Sequence, residues 1–219
     1  MSRKHVAILI SGRGSNMAAL IKAAAVPDFP AEIVLVVSNR PDAGGLATAR
    51  AAGIETAVVD HTPYGKDRAA FDAALQQVLA QHDIAYVCLA GFMRLLTADF
   101  VTQWQGRMIN IHPALLPSFK GLDTHARALQ AGVKIHGATV HFVVPEMDSG
   151  PIIAQGAVAV HDDDDEATLA ARVLDIEHRI YPLALKLLAE GNLQLENDVC
   201  RVDRARPPAG VLVVPNDSF

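Results

Sequence analysis

The stretch HVAILISGRGSNMAAL (residues 5–20) contains the strand, the turn and the helix from which the rest of the fold is built. Its apolar run 5–10 predicts a strand, and the Ala-rich segment 16–25 predicts a helix. The alternation continues along the chain, with strands predicted at 32–38, 55–60, 84–91 and 107–112 and helices at 43–53, 66–82 and 97–104. This order predicts an α/β fold with a Rossmann-like, mostly parallel central sheet and helices on both faces.

The second half of the chain has a different pattern. Residues 135–144 and 151–160 predict two strands that extend the sheet in a mixed or antiparallel arrangement. A long helix is predicted from about 165 to 190, with a kink at Pro182, followed by a small hairpin at 192–202. We expect a single domain over residues 1–219, in which about 200–219 form a loosely held tail.

The composition excludes several classes of protein. Hydrophobic residues make up 51% of the 219 residues and charged residues 20%, which is typical of a globular chain. A net charge of −5 without any Lys/Arg cluster argues against nucleic acid as a partner, and no apolar run is long enough to cross a membrane. The two cysteines do not make a disulfide framework, so we expect a cytoplasmic protein. The sequence is compatible with a monomer or a homodimer.

The glycine turn GRGSN (12–16) allows two interpretations. Its backbone N–H groups open a helix, where a phosphate held by Gly14, Ser15 and Asn16 would be stabilised. Alternatively, the side chain of Ser15 or Asn16 simply caps the helix. A dinucleotide fingerprint is absent because Met17 stands where the third glycine would fall, and no Walker-type lysine follows.

Two polar side chains stand at the end of the predicted strand in MINIHP (108–113). Asn110 and His112 share one face because side chains alternate along a strand, and the carboxyl ends of parallel strands are where open α/β sheets bind ligands. The loop VPEMDSG offers an acid, Asp148 or Glu146, that can stabilise an imidazolium ion. An amide N–H and an imidazolium together can stabilise the oxyanion formed when an external nucleophile attacks a carbonyl. We therefore predict Asn110, His112 and Asp148 as a catalytic group.

Other kinds of site are less well supported by the sequence. A histidine at a strand end often has only a structural role, which remains the alternative for His112. No metal site is predicted, because His136 and His141 should point to opposite faces of their strand and no paired-Cys or H-E-x-x-H motif occurs. Cys88 lies in an apolar strand without an activating base, so a covalent thiol nucleophile is not predicted.

Glu177 is a carboxylate at the border of a buried helical face. The long helix carries an apolar stripe at helical spacing, formed by Leu169, Val173, Ile176 and Ile180. A carboxylate beside that stripe needs a partner, either a basic side chain or the polar groups of a ligand.

Six segments of the chain together resemble one known family. The segments are LISGRGSN, VVSNRPDAGGLATA, LAGFMRLL, NIHPALLPSFKGLDTH, GATVHFVVPEMDSGPII and RVLDIEHRIYPLAL. They are similar to the phosphoribosylglycinamide formyltransferases, a branch of the folate-dependent formyltransferase superfamily, over about residues 5–195. Ala114 stands where the family commonly has Ser, and Ala138 where Cys is common; both changes are conservative.

The resemblance implies an activity and a set of site residues. It implies transfer of a formyl group from 10-formyltetrahydrofolate, as co-substrate, to the amine of N1-(5-phosphoribosyl)glycinamide in purine biosynthesis, without a metal. It implies that Asn110, His112 and Asp148 are catalytic and that the ribonucleotide contacts Gly14, Ser15, Asn16 and Glu177. The implied folate-binding residues are Arg68, Met93, Arg94, Leu95, Leu96, Asn110, Val144, Pro145, Glu146, Met147 and Asp148.

Three alternatives differ from this activity. Methionyl-tRNA formyltransferase and formyltetrahydrofolate deformylase belong to the same superfamily, but the first should carry a tRNA-binding domain and the second a regulatory domain before the first strand. A catalytically silent folate- or nucleotide-binding protein is the third, and retention of Asn110, His112 and Asp148 argues against it.

Overall fold

The computed structural model describes residues 3–203 and 213–214. Its strands are β1 Lys4–Ile10, β2 Ala31–Ser38, β3 Glu55–Val58, β4 Tyr86–Leu89, β5 Met108–His112, β6 Ile135–Phe142, β7 Ile152–Ala159, β8 Leu193–Glu196 and β9 Val199–Val202. Its α-helices are α1 Ser15–Ala24, α2 Gly45–Ala51, α3 Arg68–Leu79, α4 Ala98–Gln103, α5 Thr124–Gln130 and α6 Glu166–Ala189, and a short 3₁₀ helix spans Thr62–Tyr64.

Seven strands form the central sheet in the order β3-β2-β1-β4-β5-β6-β7. The first five are parallel, whereas β6 pairs antiparallel with β5 and β7 antiparallel with β6. The predicted α/β fold, with its parallel sheet and its antiparallel extension, is therefore confirmed. The predicted hairpin is also present, because β8 and β9 pair antiparallel in a separate small sheet.

Both faces of the sheet are covered, as the near-continuous apolar strands predict. Val6, Ile8 and Ile10 belong to a core cluster shared with α1, α2, α5 and α6. Ala7 and Leu9, on the other face of β1, belong to a second cluster shared with α3 and α4. Strand β1 thus contributes alternate side chains to two cores.

The structure adds to the sequence prediction and differs from it in several places. Helix α5 was not predicted, because seven residues carry too little periodic pattern to identify a helix. Helix α6 contains Pro182 in its interior, and the predicted kink there stays a prediction; its N-cap is Asp165, whose side chain forms a capping box with Thr168. Residues 200–202 of the predicted tail belong to β9, and 204–212 and 215–219 lie outside the described residues. Among the described residues, no helix combines the length and the apolarity that a bilayer crossing requires.

The topology brings several loops to one edge of the sheet. Strands β1, β2, β4 and β5 are parallel, so the loops that follow them all leave from the same edge. The β6–β7 loop starts at the opposite edge of the sheet, because β6 is antiparallel to β5. Val143 donates its N–H to the Met108 carbonyl at 2.9 Å, and the loop then folds back over β5. This arrangement positions the side chains described next.

Candidate active site

Asn110 and His112 lie on the same face of β5, as the strand alternation predicts. Ile109 and Ile111 point the other way and pack into the core beneath α1 and α6. Met108 packs into the core beneath α3 and α4, on the face that carries the two polar side chains. The His112 side chain is buried, whereas Asn110 is partly exposed. A ligand that reaches the end of β5 from this face would meet the Asn110 amide first.

Asp148 lies against His112 from the β6–β7 loop. Its Oδ2 atom is 3.5 Å from His112 Nδ1, and the carboxylate side chain is only 11% exposed. The same oxygen accepts the N–H of Gly121 at 2.9 Å, which ties the loop after β5 to the β6–β7 loop. Of the two acids in this loop, Asp148 therefore faces the histidine, and Glu146 is exposed to solvent.

The His112 ring is held from both sides. Its Nε2 atom lies 3.0 Å from the Phe119 carbonyl oxygen, and since a carbonyl can only accept, Nε2 carries a proton. Its Nδ1 atom faces Asp148. An imidazolium ion would donate to both partners. The sequence predicted the carboxylate but not Phe119, which follows two prolines and has a positive φ of 55°.

His141 is a further member of the cluster that the sequence did not predict. It stands opposite Asn110 in the antiparallel β5–β6 pair, and its Nε2 atom is 3.2 Å from Asn110 Nδ2. It is also 3.8 Å from Asp148 Oδ1. Asn110, His141, Asp148 and His112 therefore form one continuous group. As predicted, His136 is on the opposite face of β6, where it contacts Phe119 edge to face.

Buried hydrogen bonds hold the loop that follows His112. The Thr139 hydroxyl donates to the Ala114 carbonyl at 2.7 Å and accepts the N–H of Leu116 at 3.0 Å. The Gln155 amide donates to the Leu116 carbonyl at 2.9 Å. Nearer the site, Lys120 Nζ donates to Ser149 Oγ at 2.6 Å, a second link between the two loops. The His112 ring is thus oriented by a loop fixed at several points.

The structure excludes the interpretation that the side chain of Ser15 or Asn16 caps α1. The N-cap of α1 is Gly14, with φ 75°, and no side chain caps the helix. A Cβ at Gly14 would lie 3.1 Å from the Gly45 Cα, so the glycine turn packs closely against the first residue of α2. The first-turn N–H groups of α1, including those of Ser15 and Asn16, are left for another acceptor, and an anion is favoured at this end of a helix.

Asn16 and Glu177 form a buried pair beside this turn. Asn16 Nδ2 donates to Glu177 Oε2 at 2.7 Å, and Glu177 is only 6% exposed. Burial raises the pKa of the Glu177 carboxyl, while the hydrogen bond from Asn16 opposes that shift. The partner that the sequence required for Glu177 is therefore an amide of the glycine turn. Asn16 Oδ1 is buried without a hydrogen-bond partner among the described residues.

The loop after β4, which the resemblance assigns to the folate, carries exposed apolar side chains. Met93 and Leu95 are 66% and 60% exposed, and Met147 of the β6–β7 loop is also exposed. The Met93 N–H donates to Ser11 Oγ at 2.7 Å, and the Ser11 hydroxyl donates to Asn39 Oδ1 at 2.5 Å. These two bonds link the ends of β1, β2 and β4, and the sequence did not predict them.

The resemblance assigns two arginines to the folate, Arg94 in this loop and Arg68 on α3. The Arg94 guanidinium stacks on the Phe71 ring, 4.5 Å from its centroid, and donates to the Gly65 carbonyl at 3.2 Å. Arg68 is the first residue of α3 and is exposed. The Gly65 carbonyl that accepts from Arg94 is three residues before Arg68 along the chain.

Two surface cavities lie elsewhere. One, of about 330 Å³, is lined by residues of α3, α4 and the loops before β4 and β5, including Trp104. The other, of about 340 Å³, is lined by residues that include Tyr86, Phe142 and Leu195. Both lie at the amino-terminal edge of the parallel strands, and neither includes Asn110, His112 or Asp148. The candidate active site is therefore identified by the chemistry of its side chains and not by the volume of a cavity.

Within residues 3–203 and 213–214, no three His, Cys, Asp or Glu side chains are grouped to hold a metal ion.

Comparisons with known proteins identify the family of this chain. A family model described as Formyl transferase matches residues 4–185. Phosphoribosylglycinamide formyltransferase of Escherichia coli is 42% identical over 207 residues, covering 94% of this chain and 97% of that protein. The trifunctional purine biosynthetic protein adenosine-3 of Gallus gallus is 51% identical over 194 residues, 89% of this chain, which spans only 19% of that protein's length.

A solved structure has the same fold. Glycinamide ribonucleotide transformylase 1 from Symbiobacterium toebii superposes with a TM-score of 0.89 at 43% identity, covering 92% of this chain and 94% of that one. The resemblance inferred from the motifs is confirmed.

Proposed function

The chain belongs to the formyl transferase family, and we propose that it transfers a formyl group from 10-formyltetrahydrofolate to the amine of N1-(5-phosphoribosyl)glycinamide. The names of relatives that match this chain over almost their full length support this acceptor. The observation that carries the proposal is the contact of His112 with Asp148 beside Asn110, because this group can stabilise an oxyanion. The product would serve purine biosynthesis, the process named for the trifunctional relatives.

The two substrates would approach the end of β5 from different directions. The ribonucleotide phosphate would bind the first turn of α1 at Gly14, Ser15 and Asn16, with Glu177 next to the ribosyl group. The folate would lie against Met93 and the rest of the 93–96 segment, with the 144–148 loop on its other side. Its acidic tail would extend toward Arg68 and Arg94, whose charges are complementary to carboxylates.

The reaction would proceed by direct attack. The acceptor amine forms a bond to the formyl carbon, and the formyl oxygen becomes an oxyanion next to the Asn110 amide and the His112 imidazolium. Collapse of the tetrahedral intermediate breaks the bond to N10 of the folate. The proton lost by the amine passes to that nitrogen, through His112 or a bound water. Asp148 balances the charge on His112, and correct placement of two substrates supplies much of the acceleration.

This scheme assigns no role to a metal and none to a covalent enzyme intermediate. Cys88 and Cys200 are free thiols, and burial raises the pKa of Cys88 to about 12, so its thiol is not a nucleophile near neutral pH. A cytoplasmic location, and a monomeric or homodimeric state without nucleic-acid or membrane partners, remain predictions. Size-exclusion chromatography with light scattering would determine the oligomeric state.

The experiment that tests the proposal follows release of the deformylated folate by absorbance, with and without the ribonucleotide. Release that depends on the amine supports formyl transfer. Release with water alone would identify a hydrolase, and no release under either condition would leave a binding protein. An Asn110→Ala variant is the control, because it should fold but lose most of the amine-dependent rate.

A further inference from the structure

The hydrogen bonds of His141 define which of its ring nitrogens carries a proton. Its Nδ1 atom lies 2.8 Å from the Phe142 carbonyl oxygen, which can only accept, so Nδ1 is the donor. In a neutral ring the Nε2 atom then presents a lone pair. That atom is 3.2 Å from Asn110 Nδ2, so it accepts one of the two amide N–H groups of Asn110.

The environment of His141 favours this neutral form. The side chain is only 3% exposed, and its burial is the main cause that lowers the pKa of the ring. The positive charges of His112 and Lys120 act in the same direction, whereas Asp148 and the Phe142 carbonyl oppose it. Asp148 Oδ1 is 3.8 Å from His141 Nε2, beyond hydrogen-bonding distance, so Asn110 is the nearer partner of this nitrogen.

We propose that His141 is a positioning residue that fixes the orientation of the Asn110 amide, so that its second N–H group faces the substrate oxygen. The inference deepens the proposed formyl transfer and rests on it. An asparagine amide can rotate by half a turn at little steric cost, because its oxygen and nitrogen are similar in size. In the rotated state the amide oxygen would face the developing oxyanion and repel it. A fixed acceptor at His141 excludes that state, since two acceptors would then face each other.

The first test compares two substitutions of His141. Gln places an oxygen acceptor near the position of Nε2, and Met fills a similar volume without a comparable acceptor. We expect His141→Met to lower kcat by on the order of tenfold or more, while KM for both substrates changes by less than about threefold, because part of an oxyanion donor is lost. His141→Gln should retain most of kcat. Equal losses in both variants would overturn the proposal.

The second test asks whether His141 acts through Asn110. The His141→Met change is combined with Asn110→Ala, and kcat is measured for the four proteins of the cycle. In the Asn110→Ala background the second change should lower kcat by less than about twofold, because no amide remains to orient. An undiminished effect of His141→Met in that background would show a separate role and contradict the proposal. If the proposed formyl transfer is wrong, the wild-type protein itself shows no amine-dependent turnover. If only the role of His141 is wrong, the wild-type protein turns over and the cycle gives the contradicting result.

The third test does not depend on activity or on a variant. Long-range ¹H–¹⁵N spectra of the wild-type protein identify the protonated nitrogen of each histidine. We expect His141 to carry a proton on Nδ1 and none on Nε2 at about pH 7, where an unperturbed ring is already mostly neutral. A proton on Nε2, either alone or together with one on Nδ1, would overturn the proposal.

Discussion

Replacement of Asp148 by Asn should abolish most of the turnover while the fold is retained. Asp148 has a positive φ of 50°, a conformation that Asn tolerates better than most residues. The Asn amide oxygen can also accept the Gly121 N–H that Asp148 accepts at 2.9 Å. The substitution therefore removes the negative charge next to His112 and little else.

The magnitude follows from the distance between the two groups. Two unit charges separated by the 3.5 Å between Asp148 Oδ2 and His112 Nδ1 attract each other by about 5 kcal/mol at an effective dielectric constant of about 20. If all of this energy stabilised the transition state, its loss in Asp148→Asn would lower kcat by on the order of 10³-fold. The dipole of the Asn amide replaces part of the lost attraction. We therefore expect kcat to fall by on the order of 10² to 10³-fold, as for removal of an acid–base or oxyanion group.

The assay is the steady-state rate of amine-dependent folate release, together with the melting temperature. The matched control is Asp162→Asn, which removes an exposed carboxylate paired with Lys134 and should leave kcat unchanged. A folded Asp148→Asn protein with turnover within about threefold of wild type would refute the role of this charge.

Three further predictions concern the glycine turn and the buried His136. Ser15→Asp should raise KM for the ribonucleotide by on the order of tenfold or more, with little effect on KM for the folate, because a carboxylate would occupy the N-terminus of α1 next to the phosphate; an unchanged KM would move the phosphate elsewhere. Gly14→Ala should lower the free energy of unfolding by about 1–3 kcal/mol, measured by urea titration, because φ is 75° and the new Cβ would lie 3.1 Å from Gly45 Cα; an unchanged value would contradict the close packing. Burial, with a smaller effect of nearby His125, lowers the pKa of His136 to about 4, so the unfolded chain binds the additional proton first. The free energy of unfolding should therefore decrease as pH falls from about 6.5 to about 4, by up to ~3 kcal/mol from this residue, and the pH dependence should be weaker in His136→Phe; an equal slope in the variant would refute this cause.

The parts of the site that lie on regular elements were predictable from the sequence. Strand alternation is sufficient to place Asn110 and His112 on one face, and the parallel order of the strands is sufficient to place them near the sheet edge. The burial of Glu177 also follows from helical spacing. These inferences need only local periodicity and the order of elements along the chain.

The parts that depend on long-range contacts were not predictable in this way. The pairing of His141 with Asn110 requires the register between β5 and β6, which the sequence pattern does not specify. The contact of Phe119 with His112 requires the path of an irregular loop, and Ser11 joins three strand ends that are distant along the chain. The sequence shows only that His141 is a polar residue within the predicted strand GATVHF. Its role can be inferred only when the strand register places it opposite Asn110.

The central claim is tested most directly by following the formyl carbon itself. The wild-type protein is incubated with 10-formyltetrahydrofolate labelled with ¹³C in the formyl group and with N1-(5-phosphoribosyl)glycinamide, and the products are identified by NMR. Formyl transfer predicts that the label appears in the amide of the formylated ribonucleotide, in a one-to-one ratio with released folate. Label recovered as formate, or retained on the folate, would contradict the account.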